Sequence, residues 1–208
     1  MGKPYNPKDH YFRRAKDVGL RARSAFKIEE IARRFGILKR GARVLDLGAA
    51  PGGFLQVIAD EIGAAGAVVG VDLVRIRPIP KTQVSTLVLD VLADDFDERL
   101  GSAFPGSFDA IVSDMAPKTS GIRATDEARS LCLARRALEI ARTRGSPGSH
   151  FVVKLFMGGD FEEFRQQVRS EYEEVKIVRP RATRGASAEI YVVGLRRKAG
   201  QTSSGGDS

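Results

Sequence analysis

The stretch Asp46-Leu47-Gly48-Ala49-Ala50-Pro51-Gly52-Gly53-Phe54 joins an acid to three closely spaced glycines. It follows Ala42-Arg43-Val44-Leu45, which reads as a buried strand, and precedes Leu55-Gln56-Val57-Ile58-Ala59, where a helical pattern starts. A strand turning through glycines into a helix sets bare backbone and a positive helix end against a ligand. What is missing narrows the chemistry. No Lys-Ser/Thr pair closes the loop, which argues against a triphosphate site. Pro51 interrupts the G-x-G-x-x-G spacing of a dinucleotide site, which disfavours a nicotinamide-dependent oxidoreductase. Further polar residues stand at the ends of apolar runs. Asp72 closes Val69-Gly70-Val71 and can hold the two hydroxyls of a ribose. Asp90 ends the next run and can accept from an adenine amino group, so with the loop the two outline an adenosine site. Asp114 follows Val112-Ser113. Lys154 lies among Phe151-Val152-Val153 and Leu155-Phe156, where a lysine requires a carboxylate partner, and Asp114 is the candidate. Glu189 precedes Ile190-Tyr191-Val192-Val193, and by spacing alone reads as an exposed edge charge.

These residues need elements to place them. Strands are expected at 43–47, 67–72, 84–89, 108–113, 149–155, 174–179 and 188–195. Helices are expected at 53–63, 125–143 and 160–170, with a weaker one near 94–100. Asp160 and Glu163 suggest a capping box for the helix at 160–170. Such alternation predicts an α/β, Rossmann-like, mostly parallel sheet covered by helices on both faces. The link from Pro180 to Ser187 is too short for a parallel crossover, so the last strand should be antiparallel. Residues 1–20 read as an arm with limited regular structure. A helix capped by Ser24 then carries Phe26, Ile28, Ile31, Ala32 and Phe35, and ends at Gly36. The organisation is a basic N-terminal arm and helix over 1–42, one domain over 43–198, and a disordered tail over 199–208.

At 208 residues, with 42% hydrophobic and 29% charged residues, the composition is that of one soluble globular domain. The lone Cys132 excludes an internal disulfide and reads as a core thiol. With only His10 and His150 besides, no metal is expected. No apolar run approaches ~20 residues, so a cytoplasmic protein without a membrane span is expected. Residues 1–43 hold 13 Lys/Arg against 4 Asp/Glu, whereas the whole chain has a net charge of +8. The basic excess is thus confined to the N-terminal fifth. An anionic polymer is the natural partner, through Arg13, Arg14, Arg21, Arg23, Arg33 and Arg34, with Tyr5, Tyr11 and Phe12 interleaved for stacking.

An acid at a strand end followed by G-x-x-P-G-G resembles the S-adenosylmethionine loop of class I methyltransferases. The order of Arg21-Ala22-Arg23-Ser24-Ala25-Phe26-Lys27, Asp46–Phe54, Ser113-Asp114-Met115-Ala116-Pro117, Val152-Val153-Lys154 and Ser187-Ala188-Glu189-Ile190-Tyr191 is similar to the FtsJ/RrmJ-like ribose 2′-O-methyltransferases. The likeness covers about residues 8–197 and is nearest to the large-subunit ribosomal RNA branch. It implies a seven-stranded sheet and a Lys27-Asp114-Lys154-Glu189 tetrad. It also implies S-adenosylmethionine bound by Asp46, Gly48, Gly52, Gly53, Phe54, Asp72, Asp90 and Asp114. RNA would lie on the arginines named above and on Arg184, the target would be a uridine of large-subunit ribosomal RNA, and the enzyme would be a monomer. Phe54 departs from the tryptophan of bacterial members, and Lys118-Thr119 follows Pro117 as a second departure. A ribose hydroxyl is a poor nucleophile, so orientation and proton removal are what the protein must supply. Lys154 is the candidate at the 2′-oxygen, steering the hydroxyl as an ammonium or taking its proton as an amine. A transfer RNA or messenger RNA cap enzyme, and a non-catalytic ribosome-assembly factor, are the rival readings.

Overall fold

The computed structural model describes residues 10–184 and 187–199. Residues 1–9, with Tyr5, and 200–208 of the expected tail lie outside them. Seven strands form one sheet: β1 (Arg43–Leu47), β2 (Ala67–Asp72), β3 (Val84–Val88), β4 (Phe108–Ser113), β5 (Gly145–Phe156), β6 (Tyr172–Val178) and β7 (Glu189–Arg197). Their order is β3-β2-β1-β4-β5-β7-β6. β1 to β5 are parallel, whereas β7 runs antiparallel to both β5 and β6. This is the expected fold class, with the antiparallel insertion where the short link demanded it.

Among the described residues, six helices cover the sheet: α1 (His10–Asp17), α2 (Ala25–Phe35), α3 (Gly53–Ile62), α4 (Phe96–Ala103), α5 (Arg123–Arg144) and α6 (Phe161–Glu171). Strand side chains alternate between two cores. Val44, Ala110, Val112, Val152 and Val193 meet the isoleucines of α2 and the apolar side of α3. Leu45, Leu47, Ile111, Phe151 and Val153 meet α4, α5 and α6.

Several expectations are corrected. The arm contains α1, whose Ala15 is buried with Phe26 and Ala182 beside Tyr11 and Leu20. Eight residues are too few to hold a helix unaided, so this packing, invisible to local pattern, decides the outcome. Ser24 stands at the start of α2, but its side chain makes no cap bond. A backbone turn serves instead, with Ala25 N–H donating to Ala22 and Phe26 N–H to Arg23. Gly36 ends the helix in the left-handed region (φ 65°), as expected. Asp160 makes no side-chain cap, and Glu163 instead accepts from Arg135 and Gln167. Cys132 is exposed rather than in the core. One residue rotates a helix by ~100°, and the buried stripe runs through Leu131, Ala134 and Leu138.

Candidate active site

Period-two alternation aims the polar residues at one place. Asp46 follows Val44 on the α2/α3 face, Asp114 follows Val112 just beyond β4, and Lys154 follows Val152. On antiparallel β7, Glu189 and Tyr191 precede Val193 on the same face, and Lys154 pairs in register with Tyr191. Lys27, in the first turn of α2, reaches over from the covering layer. Five elements thereby converge at the carboxyl edge of the sheet, beside the switch in strand order between β1 and β4.

Two ion pairs organise the cluster. Lys27 Nζ bonds the Glu189 carboxylate, both side chains being nearly buried. Lys154, 7% exposed, donates to the Asp114 carbonyl at 2.5 Å and lies 3.1 Å from Asp114 Oδ1. Glu189 is therefore spent on Lys27, and Asp114 is the carboxylate bonded to Lys154. Tyr191 was missed by sequence reasoning. Its hydroxyl donates to Asp114 Oδ1 at 2.6 Å, and its ring lies under Lys27 Nζ at 5.8 Å. Its signal was position: two residues after Glu189, it must share the same sheet face. Burial and the Asp114 and Glu189 charges hold the Tyr191 hydroxyl well above the usual phenol range.

The glycine loop lies alongside. Gly48 (φ 77°) touches the chain after β4, and a Cβ there would sit 2.9 Å from Met115 Cα. Gly52 (φ 107°) leads into α3, which starts at Gly53. Asp72 accepts from Ala50 N–H at 2.9 Å and Val74 N–H at 3.0 Å, tying the loop to the end of β2. Asp90 is exposed near the end of β3 and accepts from Leu92 N–H at 2.9 Å. Phe54 is buried in the α2/α3 core, which is where the structure places it rather than on an open surface. Asp46 is the anomaly: fully buried, with both carboxyl oxygens lacking a hydrogen-bond partner. Burial first, then the Asp114 and Asp72 charges, push it well above the carboxylate range. An acid left so invites a cationic or hydrogen-bond-donating ligand.

The basic residues divide. Arg21 is engaged within the fold. Its guanidinium donates to the carbonyls of Pro51 (3.2 Å), Arg77 (2.5 Å) and Pro78 (2.6 Å), bracing the glycine loop against the β2–β3 connection. Its own N–H is held by Gln56 Oε1 at 2.8 Å. Arg13 and Arg14 are exposed on α1, with Arg14 stacked 4.7 Å over Phe26. Arg23 lies over Tyr11 and bonds the Ala182 carbonyl, and burial followed by Arg184 lowers its pKa, so these two arginines are close. Arg33 and Arg34 are in the last turn of α2, about 9 Å along the axis from Lys27, toward the opposite edge where β1 begins. They are not part of this cluster. No group of three or more His, Cys, Asp or Glu among the described residues could hold a metal. No helix among them is long and apolar enough to cross a membrane.

Residues 20–197 match the family model of the FtsJ-like methyltransferases. The chain is 66% identical over 199 residues to the ribosomal RNA large subunit methyltransferase E of Myxococcus xanthus, covering 96% of this chain and 93% of that protein. It is 51% identical over 201 residues to the protein of that name from an Anaeromyxobacter species, covering 96% and 73%. A solved Plasmodium falciparum chain, provisionally described as a ribosomal RNA methyltransferase, superposes with a TM-score of 0.76 at 23% identity. It covers 86% of this chain and 100% of its own, and shows the fold alone.

Proposed function

Because the chain belongs to the FtsJ-like methyltransferases, we propose that it moves a methyl group from S-adenosylmethionine to a ribose 2′-hydroxyl of large-subunit ribosomal RNA, at a uridine. The carrying observation is the pair of buried ion pairs, Lys154–Asp114 and Lys27–Glu189, set beside the glycine loop on one face of the sheet. The residues fit the donor. Asp46 has the unpartnered acid for its amino group, while Asp72 and Asp90 stand at successive strand ends for ribose and adenine. When bound, the sulfonium supplies a methyl group already activated for displacement.

The protein's task is to place the hydroxyl and handle its proton. Lys154 contacts the 2′-oxygen, and Asp114 holds the Nζ through two contacts so that few orientations remain. Tyr191 donates to the same Asp114 Oδ1 that faces Lys154 and so helps fix the carboxylate. Lys27 and Glu189 close the end of the site nearest α1, where Arg13, Arg14, Arg23 and Arg184 offer charge to the RNA backbone.

The test is methylation with labelled S-adenosylmethionine and separate pools of ribosomal, transfer and capped messenger RNA, followed by mapping of the modified nucleotide. Label at a 2′-O-methyluridine of large-subunit ribosomal RNA is the expected outcome. Label confined to transfer RNA or cap structures overturns the substrate, and label on a base overturns the reaction.

A further inference from the structure

A second polar cleft opens at the other edge of the sheet, where β1, β4 and β5 begin. It has a volume of about 290 Å³ and is lined by Lys39, Arg40, Asp109, Ser146, Ser149 and His150. That is small beside the ~300–1,000 Å³ of sites enclosing whole drug-sized ligands, and suits a phosphate with its sugar.

Some of its donors are uncommitted. Lys39 is exposed and has no ion-pair partner among the described residues. His150 accepts from Arg196 N–H at Nδ1 (3.4 Å), which leaves the Nε2 hydrogen free to donate. Ser149 is 2% exposed and its hydroxyl has no hydrogen-bond partner. Arg40 contributes charge, with one nitrogen bonded to the Asp60 carbonyl. The acid present, Asp109, accepts from Arg43 N–H at 2.8 Å, while the Ser146 hydroxyl donates to the Phe108 carbonyl at 3.0 Å. The local field is positive, since after burial it is Lys39 and Arg196 that hold the His150 imidazole below its ordinary pKa, against a smaller opposing effect of Asp109. The Ser149 hydroxyl itself is enclosed against Gly145, so the groups open to the cleft are the Lys39 ammonium and the His150 Nε2–H, which an anion with several acceptor oxygens would complete.

We propose that this cleft is a phosphate-binding site that takes the RNA backbone at a point remote from methyl transfer. Arg33 and Arg34 lie toward the same edge, so the basic residues of 10–43 serve both ends of the molecule. The RNA source rests on the function proposed above; the phosphate site does not.

The chain has only two histidines, so imidazole NMR can follow His150 with His10 as internal reference. Titration with inorganic phosphate at constant ionic strength should move the His150 signals saturably. Lys39→Gln should weaken that response about five- to tenfold, the loss of one charge-assisted contact. Absence of a saturable His150 response overturns the site. In a second arm, Lys39→Glu should raise KM at least about fivefold for a long ribosomal RNA fragment. It should leave KM for a short target hairpin, and kcat for both, unchanged. A phosphate response without that difference means the site takes free phosphate or a small phosphate ester, and overturns the RNA source. If the parent methylates no RNA, the proposed function fails while the phosphate arm still reports on the cleft.

Discussion

Lys154 and Asp114 are bound to each other, yet their removal should have opposite consequences for the fold. Lys154→Ala deletes a nearly buried cation and leaves Asp114 bonded to Tyr191, so stability should hold within about 1 kcal/mol. Asp114→Ala leaves Lys154 with the backbone carbonyl but no counter-charge and frees the Tyr191 hydroxyl, and should cost about 2–4 kcal/mol, discounted because the carboxylate is partly exposed. Both variants should lose several powers of ten in single-turnover methylation. Single-turnover rates and denaturant melts on the pair check this, and Lys154→Ala within about tenfold of the parent would remove it from the hydroxyl. Asp46 gives a pH prediction. Its folded pKa is raised above the ~3.9 of an unfolded aspartate, so the folded state holds the proton more tightly. The resulting stabilisation is present below the unfolded pKa and is lost as pH rises through the folded one. The stability of the parent relative to Asp46→Asn should therefore fall with rising pH from about 4 upward. Melts across pH check it, and a constant difference means that Asp46 titrates alike in both states. Asp46→Asn should also weaken S-adenosylmethionine binding, measured by calorimetry.

Between elements, the most consequential link is Arg21. One guanidinium joins the segment ahead of α2, the glycine loop before α3 and the connection after β2, while Gln56 of α3 bonds Arg21 N–H and the Gly19 carbonyl. The segment carrying Lys27 and the loop assigned to the methyl donor are thus tied together. Arg21→Ala should raise KM for S-adenosylmethionine about tenfold or more, with kcat at saturation much less affected, since the lysine–carboxylate pairs stay intact. Free guanidinium should partly restore KM, because the lost group is a discrete donor to three carbonyls. Equal losses in KM and kcat, with no rescue, would indicate general loosening of the fold instead.

Across the whole molecule, the positive charge of residues 10–43 is distributed over two edges of the sheet. Arg13, Arg14 and Arg23 flank the tetrad, whereas Arg33, Arg34, Lys39 and Arg40 lie toward the strand starts. For a short RNA hairpin, Arg13→Gln with Arg14→Gln should raise KM. The same pair should flatten the dependence of log affinity on log salt by about one unit per lost phosphate contact. Arg33→Gln with Arg34→Gln should leave both unchanged. Filter binding over a salt series distinguishes the two faces, and an equal effect of both pairs would show that even a short RNA spans them.

Alternation and punctuation in the chain were sufficient for the strands, for the glycine loop and for the antiparallel final pair, because a two-residue period and a short link are local properties. The tetrad was legible only as an ordered set of motifs resembling a family; spacing alone left Glu189 an edge charge. Which lysine pairs with which carboxylate depended on register: β7 sets Tyr191 opposite Lys154, and α2 brings Lys27 to Glu189. The same is true of Arg21, which reads as one more surface cation until folding brings three carbonyls to it. It is true of α1, which needs Phe26 and Ala182 to hold it, and of Asp46, whose isolation exists only once two sheet neighbours and two helices have excluded water. Residue type and period are written along the chain, whereas partnership and burial arise when distant segments meet, and the chemistry of this site depends on both.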